Sequence, residues 1–150
     1  MKKLIIVLCL LTFSMTVMAQ KKFINPESLV KPSSYSHVVV SEPGKTIYIS
    51  GQVPVSSTGE IVGKGDLRAQ VKQVYENLKL CLAAAGATFD DVVKMNTYVV
   101  NYKPENVTVI REVRSGYLSS MNPPASTLAG VQALYHPDVM IEIEAIAVIH

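Results

Sequence analysis

The sequence predicts an α+β domain in which two helices pack on one face of a mixed sheet. Three observations carry this. Leu67, Val71, Val74, Leu78, Cys81 and Ala85 recur at three- and four-residue steps, the period of an amphipathic helix. Met140 to Ile149 alternates, with Ile141, Ile143, Ala145, Ala147 and Ile149 set against Met140, Glu142, Glu144, Ile146 and Val148. Between and around these segments the pattern runs strand, strand, short strand, helix, strand, helix, strand, strand, within a length suited to one domain.

In chain order, Gln20 to Ser34 is polar and holds Pro26 and Pro32, so it reads as an N-terminal arm. Ser36–Val40 and Thr46–Ser50 read as two strands of a hairpin around Pro43-Gly44. Pro54 makes Val53–Val55 an edge of the sheet or an exit from it. Ser57–Glu60 is a turn. Asp66 is placed to cap the first helix and Gly86 to stop it. Val92–Val100 is β-rich, with Val93, Met95, Thr97 and Val99 on one face. Pro104 suits the first turn of a second helix running to about Ser120, with Val107, Ile110, Val113 or Arg114, and Tyr117 as its stripe. Pro123-Pro124 ends that stretch, and Ala125–Ala133 is a strand.

The N-terminus changes the composition arithmetic. Lys2 and Lys3 precede an apolar run from Leu4 to Leu11, and Val17-Met18-Ala19 offers a small-residue exit before Gln20. This is the pattern of a cleavable secretory signal peptide over residues 1–19, too short and too interrupted by Thr12, Ser14 and Thr16 to span a bilayer. Cleavage between Ala19 and Gln20 removes two of the 14 Lys+Arg, leaving 12 against 12 Asp+Glu, so the net charge of +2 becomes zero. Cys9 goes too, so Cys81 is left without an intramolecular disulfide partner and reads as an inert thiol on the helix stripe. A neutral chain without a basic stripe is not expected to bind nucleic acid. The expected organisation is a signal peptide over 1–19, an arm over 20–34 and a domain over 35–150. The expected location is the periplasm or the exterior, with membrane contact only during export.

Common chemistries are absent from the sequence. Gly63-Lys64-Gly65 lacks the length and ending of a phosphate loop. His37, His136 and His150 are in no ligand spacing, so no metal site is expected. The Asn106-Val107-Thr108 sequon sits near a helix start and is discounted. Glu142 and Glu144 stand out: they share one face of an otherwise apolar strand. A carboxylate there is costly unless paired or hydrogen-bonded, and it can hold a water and pass protons. The alternative is that one or both pair with Lys or Arg at a sheet surface.

At this point the chain resembles the RidA/YjgF family, from about Lys31 to His150. The resemblance rests on pieces in order: Tyr35 before the first strand, Ser50-Gly51-Gln52-Val53-Pro54-Val55, Thr58-Gly59-Glu60, Ala69-Gln70 through Asn77-Leu78, Ala84-Ala85-Gly86, Val93-Lys94, Pro124-Ala125-Ser126-Thr127 and Ile141-Glu142-Ile143-Glu144-Ala145. It implies a chorismate-mutase-like fold assembled as a homotrimer, helices outside, with three clefts between neighbouring subunits. It also implies a hydrolase that uses no cofactor and converts reactive enamines and imines to a carbonyl compound and ammonia. Carried over by position, Glu142 holds the attacking water, Gly51 and Ser50 orient the substrate, and Tyr35 closes the cleft.

The chain departs from the family where a carboxylate-binding Arg is expected in Pro-Ala-Arg-Ser, because the third residue here is Ser126. A neutral hydroxyl replaces a charged fork. The family's cleft Cys falls at Leu128 and its cleft Asn near Arg111. Arg111, with Arg114 as second choice, is read as supplying the missing cation; the alternative is that Arg111 is a solvated helix residue. The expected function is an exported deaminase of small imines or enamines. The alternative is a non-catalytic trimer that binds a small molecule, such as a carboxylate, in the same cleft. A nuclease reading finds no paired His and no metal site to support it.

Overall fold

The computed structural model describes residues 21–28 and 31–150, so the expected signal peptide and its cut site lie outside the described residues. The elements are β1 (Lys22–Ile24), β2 (Val38–Val40), β3 (Lys45–Gln52), α1 (Leu67–Ala84), β4 (Val92–Val100), α2 (Pro104–Arg114), β5 (Ala125–Val131) and β6 (Ile141–Ile149), with a 3-10 turn at Phe89–Asp91. The main sheet has the order β3-β6-β4-β5. Only β4 and β5 run parallel, joined by a crossover that contains α2, so the sheet is mixed as expected.

The expected hairpin is corrected. The strands on either side of Pro43-Gly44 do not pair with each other: β2 pairs with β1 from the arm, and β3 pairs with β6. The reason is burial. Ile47 and Ile49 of β3 lie opposite Ala147 and Ala145 and join the core, whereas Val38 and Val40 remain 42% and 47% exposed. A strand with one half-buried valine gains little from a place in the main sheet.

Helix α1 begins where its cap allows. The Asp66 side chain accepts a hydrogen bond from the Ala69 N–H at 3.1 Å, and Gly86 adopts φ +74° just beyond the end. Its buried face comprises Leu67, Gln70, Val71, Val74, Tyr75, Leu78 and Leu82. Cys81 is only half-buried against this core. Gln70 is polar yet fully buried. Its Nε2 donates to the Asp138 carbonyl at 2.7 Å and its Oε1 accepts from the Met140 N–H at 2.8 Å. It ties the helix to the chain entering β6.

Helix α2 starts with Pro104 at its first turn but ends at Arg114, six residues before the expected Ser120. The chain tightens there: the Gly116 N–H bonds to Val113 O and the Tyr117 N–H to Arg114 O. Tyr117 is drawn onto α1 instead, stacked on Tyr75 with ring centres 4.9 Å apart and donating to Glu76 at 2.7 Å. On β4, an irregularity between Val92 and Lys94 buries Val92 with Met95, Thr97 and Val99, so Val93 is only half-buried.

Two outcomes are expected. Gln70→Leu leaves a carbonyl and an N–H without partners and should lower stability by about 2–4 kcal/mol in urea unfolding at fixed protein concentration; a loss below about 1 kcal/mol would show that the tie is dispensable. Tyr75 and Tyr117 are each pushed up to about 12, chiefly by burial. Above pH 10 the unfolded chain loses these protons while the folded chain keeps them, so stability should fall as pH rises from about 10 to about 12. A tyrosinate absorbance titration followed alongside thermal unfolding checks this.

Candidate functional site

The sheet sorts the sequence-predicted residues onto two faces. In β6, Ile141, Ile143, Ala145 and Ala147 face the helices and are buried. Glu142 and Glu144 therefore face the opposite, open side, where Glu142 lies across from Tyr98 and Glu144 across from Asn96. Both carboxylates are half-buried. Glu144 accepts hydrogen bonds from Asn96 Nδ2 at 2.6 Å and from the Tyr98 hydroxyl at 3.0 Å. The bond to Glu144 is the main reason the Tyr98 pKa is raised. Its partners are an amide and a phenol, not the Lys or Arg considered from sequence.

Glu142 is set by Gly51. The β3–β6 register slips between Ile49 and Gln52, the mark of a bulge that takes Ser50 and Gly51 out of regular pairing. A Cβ at Gly51 would overlap the Glu142 carboxylate, falling 2.6 Å from its Cδ. The absence of a side chain at 51 is what lets Glu142 lie against this backbone. Ser50 lines a neighbouring hollow of about 240 Å³ with Tyr48, Lys94, Asn96 and Glu144. Tyr48 is 79% exposed on this open face.

The other predicted residues meet on the helix side. Tyr35, Arg111 and Ser126 line one cavity of about 270 Å³, together with Thr97, Leu128 and Arg114. Tyr35 is held there by its neighbour. Ser36 is buried; its Oγ donates to the Pro123 carbonyl at 2.8 Å and its N–H to the Pro124 carbonyl at 3.2 Å. This fastens the Tyr35 segment to the start of β5, where Ser126 lies. The Tyr35 ring packs edge-on to His37, centres 5.3 Å apart.

Arg111 is exposed at the cavity mouth, whereas Arg114 reaches inside. Burial holds the Arg114 pKa below its ordinary value, opposed by Tyr75 and reinforced by Arg111. Sequence reasoning ranked these two arginines the other way round, and it missed Tyr75, Thr97 and Tyr102 as cavity walls. The signal for Arg114 was the shared face of residues 107, 110, 111 and 114 on α2; Tyr75, Thr97 and Tyr102 come from other segments and had none. Within one chain, then, the structure unites Tyr35, Arg111 and Ser126 on one side of the sheet and Ser50, Gly51 and Glu142 on the other. Among the described residues, no group of His, Cys, Asp and Glu is placed to hold a metal ion.

A half-buried carboxylate beside a bulge is chemically able to hold a water, and a cavity lined by two arginines is chemically able to take an anion. Comparison with known proteins agrees with the architecture. The family model described as Endoribonuclease L-PSP matches residues 27–149. A RutC family protein of Pyrococcus abyssi is 40% identical over 129 residues, covering 85% of this chain and 96% of its own. A 2-iminobutanoate/2-iminopropanoate deaminase of Dermatophagoides farinae is 34% identical, covering 88% of this chain and 99% of its own. The solved structure of the Rid protein YyfB from Yersinia pestis superposes with a TM-score of 0.78 at 43% identity, covering 86% of this chain and 98% of that one. RidA from a Psychrobacter species superposes with a TM-score of 0.63 at 33% identity, covering 85% and 98%. The likeness extends over both halves of the candidate site, and the chain belongs to the RidA/YjgF family.

Proposed function

We propose that this protein is an exported, homotrimeric hydrolase that deaminates reactive enamines and imines without a cofactor. The observation that carries the reading is Glu142 lying over a side-chain-free bulge at Gly51. A carboxylate so placed can take a proton from a water as its oxygen attacks the C=N carbon, while the imine nitrogen gains a proton. The tetrahedral adduct then collapses: the hydroxyl proton passes by way of the carboxylate to the amino nitrogen, the C=O bond forms as the C–N bond breaks, and ammonia leaves with the bonding pair of electrons. An enamine joins this route once it is protonated at carbon to the imine. The deaminase among the relatives supports the reaction class.

The two faces support the trimer. Glu142 and the Arg111–Arg114 cavity lie on opposite sides of one sheet, so a cleft that uses both takes one wall from each of two copies. A closed ring of three makes every such cleft alike. The open face, with Tyr48 exposed on it, is the surface such a ring would cover. Ser126 in place of the signature Arg favours a second reading, a trimer that binds its ligand without turning it over.

Four measurements test these statements. Glu142→Gln should reduce ammonia release from freshly generated 2-iminobutanoate by about a hundredfold or more. Gly51→Ala should do so too, with little change in unfolding temperature, because the added methyl displaces a flexible carboxylate end and not backbone. Unchanged turnover in both variants sinks the hydrolase reading, and turnover absent from the wild type with ligand binding intact establishes the second one. Light scattering should give three chains per particle, and the exported protein should begin at Gln20 by mass.

A further inference from the structure

We propose that Arg114, assisted by Arg111, is the carboxylate-binding residue of this protein, and that its cavity selects carboxylates with a branched or aromatic apolar body. The proposal deepens the deaminase reading by naming its substrate class, and it rests on that reading only for turnover, not for binding.

The first ground is an unsatisfied donor. Arg114 Nη2 is buried and has no hydrogen-bond acceptor among the described residues. Buried charges are paired in folded proteins, because an isolated guanidinium loses its hydration without compensation. A buried donor left open calls for an acceptor. Among the described residues, no Asp or Glu lines this cavity or the larger one of about 610 Å³ that shares Ser34, Arg111 and Arg114 with it. Two acids of the adjacent helices are engaged elsewhere: Glu112 pairs with Arg68, and Glu76 accepts from Tyr117. Tyr75, which faces Arg114, stays neutral because burial raises its pKa.

The second ground is the shape of the lining. Beyond the guanidinium, Met95, Val107, Ile110, Tyr102 and Leu128 form an apolar wall. Ser126 adds a small hydroxyl and leaves volume that a larger side chain would fill. A ligand that satisfies both features has one anionic end for Arg114 and a bulky apolar remainder. Of the two cations lining this cavity, half-buried Arg114 is the deeper, so one negative charge balances it; Arg111 stays at the exposed mouth, where it can steer the anion inward.

The site can be tested apart from catalysis with 2-oxo acids, which carry the carboxylate but no C=N bond. Isothermal titration of the full mature chain would use 2-oxo-3-phenylpropanoate, 4-methyl-2-oxopentanoate and 2-oxobutanoate, the methyl ester of the first, and inorganic phosphate. The two larger acids should bind several-fold more tightly than 2-oxobutanoate, and the ester should bind at least tenfold more weakly than its acid. Arg114→Met should weaken acid binding by about tenfold to a hundredfold. Arg114→Lys, which keeps the charge but not the fork, should lie between. Adding Ser126→Arg to Arg114→Met should recover affinity by returning a guanidinium to the same cavity. If Arg114→Met fails to fold, the Lys variant and the unmutated ligand series still decide the matter.

Equal affinity of Arg114→Met and wild type would overturn the proposal. So would equal binding of acid and ester, preference for phosphate, or loss of the trimer in Arg114→Met with unchanged acid binding, which would assign Arg114 to the subunit contact. Parallel assays of ammonia release separate the two readings. Binding that depends on Arg114 without ammonia retires the hydrolase and keeps the site, whereas ammonia release and acid binding both indifferent to Arg114 do the reverse.

Discussion

The structure depends on the register of β6. This strand is hydrogen-bonded on both sides, to β3 and to β4, and its odd-numbered residues from Ile141 to Ala147 are buried beneath α1. A slip of one residue would turn these side chains to the open face and drive Glu142 and Glu144 into the core. Two buried isoleucines contribute about 1.5–3 kcal/mol each, and two buried carboxylates would cost several more. That energy gap places Glu142 opposite Tyr98 and over the Gly51 bulge. The position of the candidate catalytic group is a consequence of hydrophobic packing on the other face of its strand.

The same sheet explains why the candidate site is divided. Alternation sends Ser126 and Leu128 toward Met95 and Thr97 on the helix side, while Thr127 faces the open side and accepts from Lys94 Nζ at 2.6 Å. No side-chain rearrangement within one sheet can bring residues of opposite faces together. Tyr35 joins the helix-side half through the Ser36 hydrogen bonds to Pro123 and Pro124. The chain thus builds the two halves on separate faces of one sheet.

Legibility in the sequence tracked the range of the interactions. α1 and β6 could be read because their periods are local and long, and their boundaries carry Asp66, Gly86 and alternating isoleucines. β1 could not, because its three residues, Lys22 to Ile24, carry no period, and their partner β2 lies across the arm. Gln70 was recognised as part of a motif but not as buried, since its partners Asp138 and Met140 are 68 and 70 residues away. The partners that separate Glu142 from Glu144 were equally invisible. They rest on the β4–β6 register, which gives Glu144 both Asn96 and Tyr98 and sets Glu142 against Gly51. Arg111 and Arg114 share a helix face, so only the depth of the cavity distinguishes the exposed one from the buried one.

Ser126 then takes on a meaning that its own chemistry does not suggest. It lines the cavity that Arg111 and Arg114 already enter, and that cavity has no acid in its lining. A third guanidinium from β5 would add like-charge repulsion in a desolvated space to the open donor already present. A cavity that draws its cation from α2 is therefore better served by a small neutral residue at 126. On the proposed reading, the neutral residue at 126 and the half-buried Arg114 belong to one arrangement. A guanidinium entering from the helix would also leave the β5 wall short, with the volume beside Ser126 open to the apolar part of a ligand. A charge carried on the helix and not on the strand would then change what fits, while the fold and the placement of Glu142 stay as β6 sets them.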